Sequence, residues 1–376
     1  MRINGKEVND LTKKDYTQVV EKIDQIAEKV YHDFEQFMVP TIDLPKRTKS
    51  NIHFDEKLNV WKYGNKKTQR TAKSSKGAYM LLRTMYMTDF IKNMIHSEKS
   101  STLREMYYIS EGWDRAKLHS QNDSNLLAED LEVITACMRE DFKLRPEEDG
   151  ARVMGDLVVE EVTRNKKKRR IHCQEDVGDA GYSIPYNVEP EKISFKQMDV
   201  DFILAIETGG MFDRLVENGF DQSHRALLVH LKGQPARSTR RFMKRLNEEK
   251  NLPILVFTDC DPWSFRIFAS VAYGAIKTAH ISEYLATPAT QYLGVTPSDI
   301  ENYDLPTDDL TDEDVKSLKS ELTDPRFQES FWKQEIKLQL KMKKKSEQQA
   351  LAKYGLDYVT DTYLPEKLVE LGMLKK

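Results

Sequence analysis

The fold is decided by residues 200–259, which read VDFILAIETGGMFDRLVENGFDQSHRALLVHLKGQPARSTRRFMKRLNEEKNLPILVFTD. Three short apolar runs, VDFILAIE, ALLVHL and PILVFTD, alternate there with two segments whose apolar residues recur at helical spacing. Strands that alternate with helices over short connections are typical of a parallel sheet covered by helices. The sequence therefore predicts an α/β fold with a mostly parallel sheet. A further helix is predicted from Pro262, and a fourth strand at 276–282.

Acidic residues follow two of these strands. Glu207 ends the first strand, and Asp259 and Asp261 follow the third. Ligands bind at the carboxyl ends of parallel strands, and alternate residues of an extended segment point to the same side. Three carboxylates without a histidine or thiolate favour a hard cation, so the pattern predicts a magnesium site. The alternative is that these acids are turn residues or helix N-caps, because an Asp followed by Pro is also a typical cap.

The chain before this sheet is predicted to be mainly helical. Residues 15–39 form an amphipathic helix that ends before Pro40, and its apolar stripe packs on its own domain or docks on a partner chain. Residues 41–74 have weak periodicity and are predicted to be a loop or linker. Three helices over 75–149, followed by residues of strand character, suit a winged-helix DNA-binding domain. A plain three-helix bundle gives the same pattern. Near the other end, 331–355 is predicted to be one long helix.

The segment STLREMYYIS carries two adjacent tyrosines. Thr102 and Glu105 have the spacing of a capping box, which predicts that a helix starts there. Arg104 and Tyr108 then lie on one face, whereas Tyr107 points about 100° away and packs inward. A tyrosine with a pKa near 10 is ionised in about one molecule in a thousand at neutral pH, so attack on phosphorus would need a nearby cation and a metal. Taken alone, such a pair is more often core packing or a surface hydroxyl.

The overall composition excludes several classes of protein. A formal net charge of −3 means that any phosphate-binding face must arise from local segregation of charge, as in RNKKKRR at 164–170, which is a solvated loop or a backbone-phosphate contact. Three cysteines without CxxC spacing argue against a disulfide scaffold or a cysteine-rich zinc site. No apolar signal region and no membrane-spanning run are present, so we expect a cytoplasmic protein with no membrane contact.

Six blocks of the sequence together resemble the type IIB topoisomerase family, which includes the catalytic A chains of DNA topoisomerase VI and the eukaryotic meiotic double-strand-break transesterases. The later blocks look closer to the archaeal members. The blocks are REMYY at 104–108, ETGGMFDRL at 207–215, GQPARSTRR at 233–241, TDCDPWSFRIF at 258–268, TAHISEYLATPAT at 278–290 and GLDYVTDTYLPEKL at 355–368.

This resemblance implies a fold with three parts. An N-terminal helix and linker at 1–70 would contact a partner. A winged-helix (CAP-like) domain at 71–150 would carry the nucleophilic tyrosine. A Toprim domain at 151–376 would carry the metal site and the C-terminal helices.

The resemblance also implies roles for residues at matching positions. Tyr108 would be the nucleophile, and Arg104 would support the phosphate. Glu207, Asp259 and Asp261 would bind Mg²⁺. The basic block, which has seven Lys or Arg and two acids between 232 and 250, would track the DNA backbone. Its expected contacts are Arg237, Arg240 and Arg241.

The implied activity is that of the DNA-cleaving subunit of an ATP-dependent type II topoisomerase, associated with the nucleoid. The tyrosine would form a transient 5′-phosphotyrosyl link to double-stranded DNA, allowing strand passage, relaxation of supercoils and decatenation. Two tyrosines are needed to cut both strands, so a homodimer is implied. The sequence has no GxxxxGK[ST] loop, so ATP would be bound by a B subunit in a heterotetramer of two A and two B chains.

Three other functions remain open at this point. A Toprim-type nuclease or a meiotic-type break-forming enzyme would cut DNA without strand passage. A non-catalytic DNA-binding scaffold would use the three acids only as helix caps. A metabolic enzyme on a Rossmann-like sheet is disfavoured, because the sequence has ETGG where a GxGxxG loop is required.

Overall fold

The computed structural model describes residues 16–145 and 151–374, and the backbone of two short paired strands, β1 (Arg2–Ile3) and β2 (Lys6–Glu7). The chain divides into two compact units. The first holds Met1–His53, Trp61–Asp149 and Ile276–Ile281, and the second holds Phe54–Val60, Gly150–Ala275 and Ser282–Lys376. Within the described residues, no helix is both long enough and apolar enough to cross a membrane.

The described part of the first unit is built mainly on four α-helices. Its further elements are α1 (Thr17–Glu35), β3 (Thr41–Pro45), β4 (Ile52–Asp55), β5 (Val60–Tyr63), β6 (Lys67–Thr71), α2 (Ser75–His96), β7 (Ser101–Thr102), α3 (Leu103–Ile109), α4 (Gln121–Thr135) and β8 (Leu144–Arg145), the β4–β5 pair having its tip in the second unit. Strands β3 and β6 pair antiparallel, and β7 and β8 pair parallel. The predicted helix over 15–39 is confirmed by α1, which buries Val19, Ile23 and Ile26.

The prediction of a loop over 41–74 is wrong, because four strands occupy this stretch. Each strand has only four or five residues, so any period-two pattern extends over two repeats at most and is a weak signal. In β3 only Ile42 and Leu44 are buried, and the strand ends at Pro45. The proline and lysine residues of this stretch are typical of a loop. In the structure, pairing with β6 fixes the strand conformation of β3.

The second unit carries a six-stranded sheet. Its elements in chain order are β9 (Arg152–Met154), β10 (Leu157–Val162), β11 (Lys168–His172), β12 (Tyr182–Ser183), β13 (Ile193–Met198), β14 (Phe202–Ile206), α5 (Gly209–Glu217), α6 (Phe220–Ser223), β15 (Ala226–His230), α7 (Arg237–Lys250), β16 (Ile254–Phe257), α8 (Pro262–Tyr273), α9 (Ser282–Leu285), β17 (Gln291–Gly294), α10 (Pro297–Asn302), β18 (Asp308–Asp309), α11 (Asp312–Glu321), α12 (Ser330–Met342), β19 (Lys344–Lys345) and α13 (Leu364–Glu370).

The order of strands in this sheet is β12-β9-β15-β14-β16-β17. The last four strands of that order are parallel, and β9 and β12 are antiparallel additions at one edge. Every residue of β14, β15 and β16 is buried, as expected for strands covered on both faces. The predicted mixed α/β fold with a mostly parallel sheet is confirmed. A separate sheet of order β11-β10-β13 is formed by strands that alternate in the chain with β9 and β12 and come before β14.

Two predictions about individual elements are wrong. Residues 276–281 form a 3₁₀ helix, and the fourth parallel strand is β17. His280 in this helix is held by a bond to the Glu132 carboxylate at 3.1 Å, a tertiary contact that the local pattern does not reveal. The long helix over 331–355 ends at Met342, because Lys343 adopts a left-handed conformation with φ of 55°. The chain then pairs as β19 with β18, and this pairing outweighs the helix propensity of the lysines.

Candidate active site

The site lies where β14 and β16 end side by side. The two strands are parallel neighbours, with Ile206 opposite Phe257. The Glu207 N–H donates to the Phe257 carbonyl at 3.1 Å, and the Asp259 N–H donates to Glu207 Oε2 at 3.1 Å. The Glu207 carboxylate is therefore directed at the end of the neighbouring strand. The sheet order brings this glutamate and the Asp259–Asp261 pair to one edge.

Asp261 caps helix α8. Its Oδ1 accepts a hydrogen bond from the Ser264 N–H at 2.7 Å, and Pro262 occupies the first helical position. The capping alternative raised by the sequence is thus realised at Asp261. A cap of this kind also fixes the orientation of the carboxylate with respect to the strand end.

The surroundings of the site make it costly for Glu207 and Asp259 to be ionised together without a cation. Burial raises the pKa of Glu207 to about 7, and repulsion from Asp259 adds to the effect. Burial likewise raises the pKa of Asp259 to about 6, with a further contribution from Asp261, although a backbone hydrogen bond from Gln348 acts against it. Both shifts arise because a partly buried carboxylate beside another negative charge is costly to ionise. A bound cation would relieve this cost.

The donor set fits a hard divalent cation. All of the candidate ligands are carboxylate oxygens, which magnesium prefers. Among residues 16–145 and 151–374, no group of three or more His, Cys, Asp or Glu side chains is placed so that it could hold a metal ion. Magnesium commonly takes only one or two carboxylates and keeps several waters, so Glu207 and Asp259 meet its requirement.

Cys260, which lies between the two aspartates, belongs to the core. Its side chain is fully buried, and burial raises the pKa of the thiol well above its ordinary value. The Cys260 N–H donates to the Ser346 carbonyl at 2.8 Å. Cys260 therefore packs in the core between the two aspartates.

The tyrosine pair lies on α3 in the first unit. The predicted capping box is confirmed, since the Glu105 N–H donates to Thr102 Oγ1 at 3.0 Å and the Thr102 N–H donates to Glu105 Oε2 at 2.7 Å. Tyr107 packs against the core of this unit, whereas Tyr108 is 60% exposed. Arg104 is exposed one turn before Tyr108. The helix therefore presents the Tyr108 phenol to solvent.

The predicted DNA-contacting arginines lie on α7 in the second unit. Arg240 is buried, and its Nη1 donates to Ser270 Oγ at 3.3 Å. Arg241 donates to the Glu189 carboxylate at 2.9 Å and lies over the Tyr284 ring at 4.3 Å. These two side chains thus hold neighbouring parts of the same unit. Their contact with DNA, and that of Arg237, stays a prediction.

Two residues at the site were missed by sequence reasoning. Gln348 donates its backbone N–H to Asp259 Oδ1 at 2.8 Å, and nothing local in its sequence signals this long-range contact. His230 ends β15 beside β14, and burial together with the nearby positive charge of Arg152 lowers its pKa to about 4. The sequence shows His230 as the last residue of an apolar strand, and its place at this edge of the sheet was predictable from that position.

Comparison with known proteins identifies the family. Residues 202–368 match the family model for the Toprim domain of topoisomerase 6 A chains and Spo11. Residues 147–199 match the all-beta domain of the DNA topoisomerase VI alpha chain, and 79–144 match the family described as type IIB DNA topoisomerase. The class is therefore that of the type IIB DNA topoisomerases, and the Toprim domain predicted from the sequence is confirmed.

Similar curated proteins cover nearly the whole chain. The type 2 DNA topoisomerase 6 A chain of Archaeoglobus fulgidus is 60% identical over 93% of this chain and 96% of its own length. The proteins of the same name from Methanosarcina acetivorans and Halobacterium salinarum are each 55% identical, over 98% and 96% of this chain and 98% of their own lengths. The chain belongs to the family of type 2 DNA topoisomerase 6 A chains, which confirms the resemblance inferred from its motifs.

Proposed function

We propose that this chain is the DNA-cleaving subunit of an ATP-dependent type IIB topoisomerase. Its transient double-strand breaks would allow strand passage, relaxation of supercoils and decatenation. Family membership supports this activity. The structural observation that carries the proposal is the meeting of Glu207 and Asp259 at the ends of adjacent parallel strands, joined by the 3.1 Å bond from the Asp259 N–H to Glu207 Oε2. A scaffold that used these acids only as helix caps would not require that meeting.

Tyr108 is the proposed nucleophile. Its phenol oxygen attacks a backbone phosphorus in line and forms a P–O bond while the bond from phosphorus to the 3′ oxygen breaks. The phenol proton passes to solvent, and the released 3′ oxygen takes up a proton. The product is a 5′-phosphotyrosyl link that conserves the ester for religation. Arg104, on the same face of α3, supports the phosphate charge.

Glu207, Asp259 and Asp261 are the proposed magnesium ligands. The ion would supply charge neutralisation at the phosphate and at the leaving oxygen. The protein contributes a fixed set of oxygens, since the Asp259 and Asp261 carboxylates accept hydrogen bonds from the backbone and the Glu207 carboxylate accepts one from Asp259.

The proposed assembly contains two copies of this chain, because each supplies one nucleophilic tyrosine and both DNA strands are cut. ATP would be bound by an ATPase B subunit, giving a heterotetramer of two A and two B chains that acts at the nucleoid. The N-terminal part, 1–70, would contact the partner. The region at the end of α1 supports this, since it exposes several large apolar side chains, and Phe37 is 99% exposed. The others are Tyr31, Phe34, Met38 and Val39.

We further propose the domain division that the resemblance implies. Helices α2, α3 and α4 with the β7–β8 pair would form a winged-helix (CAP-like) DNA-binding domain within 71–150. The remainder, 151–376, would carry the Toprim domain, whose family model covers 202–368, with the C-terminal helices, and the matched all-beta segment at 147–199 would lie at its start. The succession of three helices and a strand pair supports the first assignment, although a three-helix bundle shares the helices.

A covalent trap tests the proposed activity. The chain and its ATPase partner are mixed with supercoiled plasmid, Mg²⁺ and a non-hydrolysable ATP analogue, and the reaction is quenched with detergent. Linear DNA with protein on its 5′ ends is expected for the wild type and for the matched control Tyr107→Phe, and not for Tyr108→Phe. Cleavage by Tyr108→Phe that leaves protein-free ends would instead indicate a metal-dependent nuclease.

Strand passage is tested separately. ATP-dependent relaxation of the same plasmid is expected only when the B subunit is present. Covalent cleavage without relaxation under these conditions would favour a break-forming enzyme of the meiotic type.

A further inference from the structure

A segment near the C-terminus closes over the ends of β14 and β16. Cys260 and Ser346 exchange backbone hydrogen bonds, at 2.8 Å from the Cys260 N–H and 3.4 Å from the Ser346 N–H. Two residues further on, the Gln348 N–H donates to Asp259 Oδ1 at 2.8 Å. The orientation of the Asp259 carboxylate is therefore set by a segment that lies 89 residues away in the sequence.

The side chain of Gln348 joins the two strand ends. It is completely buried, and its Nε2 donates to the Phe257 carbonyl at 3.0 Å. Its Oε1 accepts a hydrogen bond from Thr208 Oγ1 at 3.1 Å. Thr208 directly follows Glu207, just beyond the end of β14. Phe257 is the last residue of β16 and lies two residues before Asp259. An amide can donate and accept at the same time, which neither a methionine nor an ionised carboxylate of the same length can do.

This bridge lies where the position of the carboxylates matters most. The ends of parallel strands are held by few ladder bonds, and two neighbouring negative charges repel one another. Side chains that hydrogen-bond the surroundings of metal ligands orient those ligands and reduce the rearrangement needed to bind an ion. A buried amide whose donor and acceptor are both satisfied is rigid, because losing either bond would leave a buried polar atom without a partner.

We propose that Gln348 is a positioning residue, which holds Glu207 and Asp259 at the separation that a divalent cation requires. The inference rests on the proposed function, in which these two acids bind the ion. Gln348 acts through the strand ends and does not itself contact the ion or the DNA.

The test is direct binding of Mn²⁺, a paramagnetic substitute for magnesium, to the full chain, measured by electron paramagnetic resonance. Gln348→Met keeps the length of the side chain and removes both hydrogen bonds. We expect it to weaken Mn²⁺ binding by about 10- to 100-fold, the usual effect of losing a residue that orients a ligand. Glu207→Ala is expected to abolish binding at this site.

A matched control separates positioning from general stability. Asn247 is also an amide in the second unit, and its Nδ2 donates to the Leu252 carbonyl at 2.8 Å, at the end of the sheet where β16 begins. Asn247→Ala loses this bond and should bind Mn²⁺ like the wild type. DNA cleavage with the B subunit gives a second readout. For DNA cleavage, Gln348→Met should need a concentration of Mg²⁺ about 10- to 100-fold higher than the wild type. At that concentration the extent of cleavage should equal that of the wild type.

The outcomes distinguish this inference from the proposed function. Mn²⁺ binding that survives Glu207→Ala unchanged would overturn the metal site itself. Binding that is lost in Glu207→Ala but unchanged in Gln348→Met would overturn the positioning role and leave the function intact. If circular dichroism shows that Gln348→Met is unfolded, Thr208→Val carries the test. It removes the hydroxyl that donates to Gln348 Oε1 and that also caps α5. Weaker binding with an unchanged circular dichroism spectrum therefore supports the inference, and wild-type binding refutes it.

Discussion

The contribution of Glu207 to the stability of the metal-free chain should become unfavourable as the pH rises, and Glu207→Gln should remove that contribution. In the folded chain the pKa of Glu207 is raised from 4.5 to about 7, by burial and then by Asp259. A carboxyl with a raised pKa costs nothing below its unfolded pKa, where it is protonated in both states. Its penalty develops between about pH 4.5 and 7 and reaches about 3 kcal/mol, because each tenfold change in an ionisation constant corresponds to about 1.4 kcal/mol. A neutral glutamine avoids this penalty and can still accept the Asp259 N–H.

Urea unfolding in EDTA, followed at pH 5 and pH 8, measures the effect. Glu207→Gln should be more stable than the wild type by up to about 3 kcal/mol at pH 8 and by much less at pH 5. Glu301→Gln, an exposed glutamate on α10, is the control and should change neither value. Saturating Mg²⁺ should reverse the order, since it stabilises only the chain that binds it. Equal stabilities of Glu207→Gln and the wild type at pH 8 would refute the claim that burial and repulsion act on this carboxyl.

Three further predictions concern other parts of the chain. Arg241→Gln should lower the free energy of unfolding by about 2 kcal/mol, because it leaves the Glu189 carboxylate without its guanidinium partner, and an unchanged urea midpoint would contradict this. Phe37→Ser, at a fully exposed position, should leave the melting temperature unchanged and weaken capture of the B subunit, so wild-type capture would remove this side chain from the contact. The last prediction concerns three exposed basic residues of the β10–β11 hairpin, Arg164, Lys167 and Arg169. Replacing all three by alanine should reduce the salt dependence of DNA binding by a slope of about 3 if each contacts one phosphate, whereas an unchanged slope would mean a solvated loop.

Local chemistry was enough to predict the edge of the sheet that holds the site. Strands β14 and β16 are continuous apolar runs between helical segments, so their parallel arrangement and the common edge of their carboxyl ends follow from general rules. The helix start at Thr102 and the outward position of Tyr108 follow from a capping box and a 3.6-residue period. Each of these features depends on residues that are close together in the sequence.

Features that depend on distant contacts were not predictable in the same way. Strand β3 alternates over only five residues and ends at Pro45, so its local signal is weak, and its conformation comes from pairing with β6. Lys343 ends α12 although lysine favours helices, because the residues that follow it pair with β18. His280 lies in a segment with strand-like composition and is held by Glu132 in a 3₁₀ helix. In each case a tertiary contact outweighs a weak local preference.

The candidate site itself combines both kinds of information. Its acids are supplied by strand ends that the sequence predicts, but their geometry depends on Ser346 and Gln348, which lie in a segment whose sequence predicts a helix. Had the helix continued through 343, the backbone N–H of Gln348 would have been used within the helix and would not reach Asp259. The left-handed turn at Lys343 is therefore a condition for the site, because it frees that N–H to orient a carboxylate.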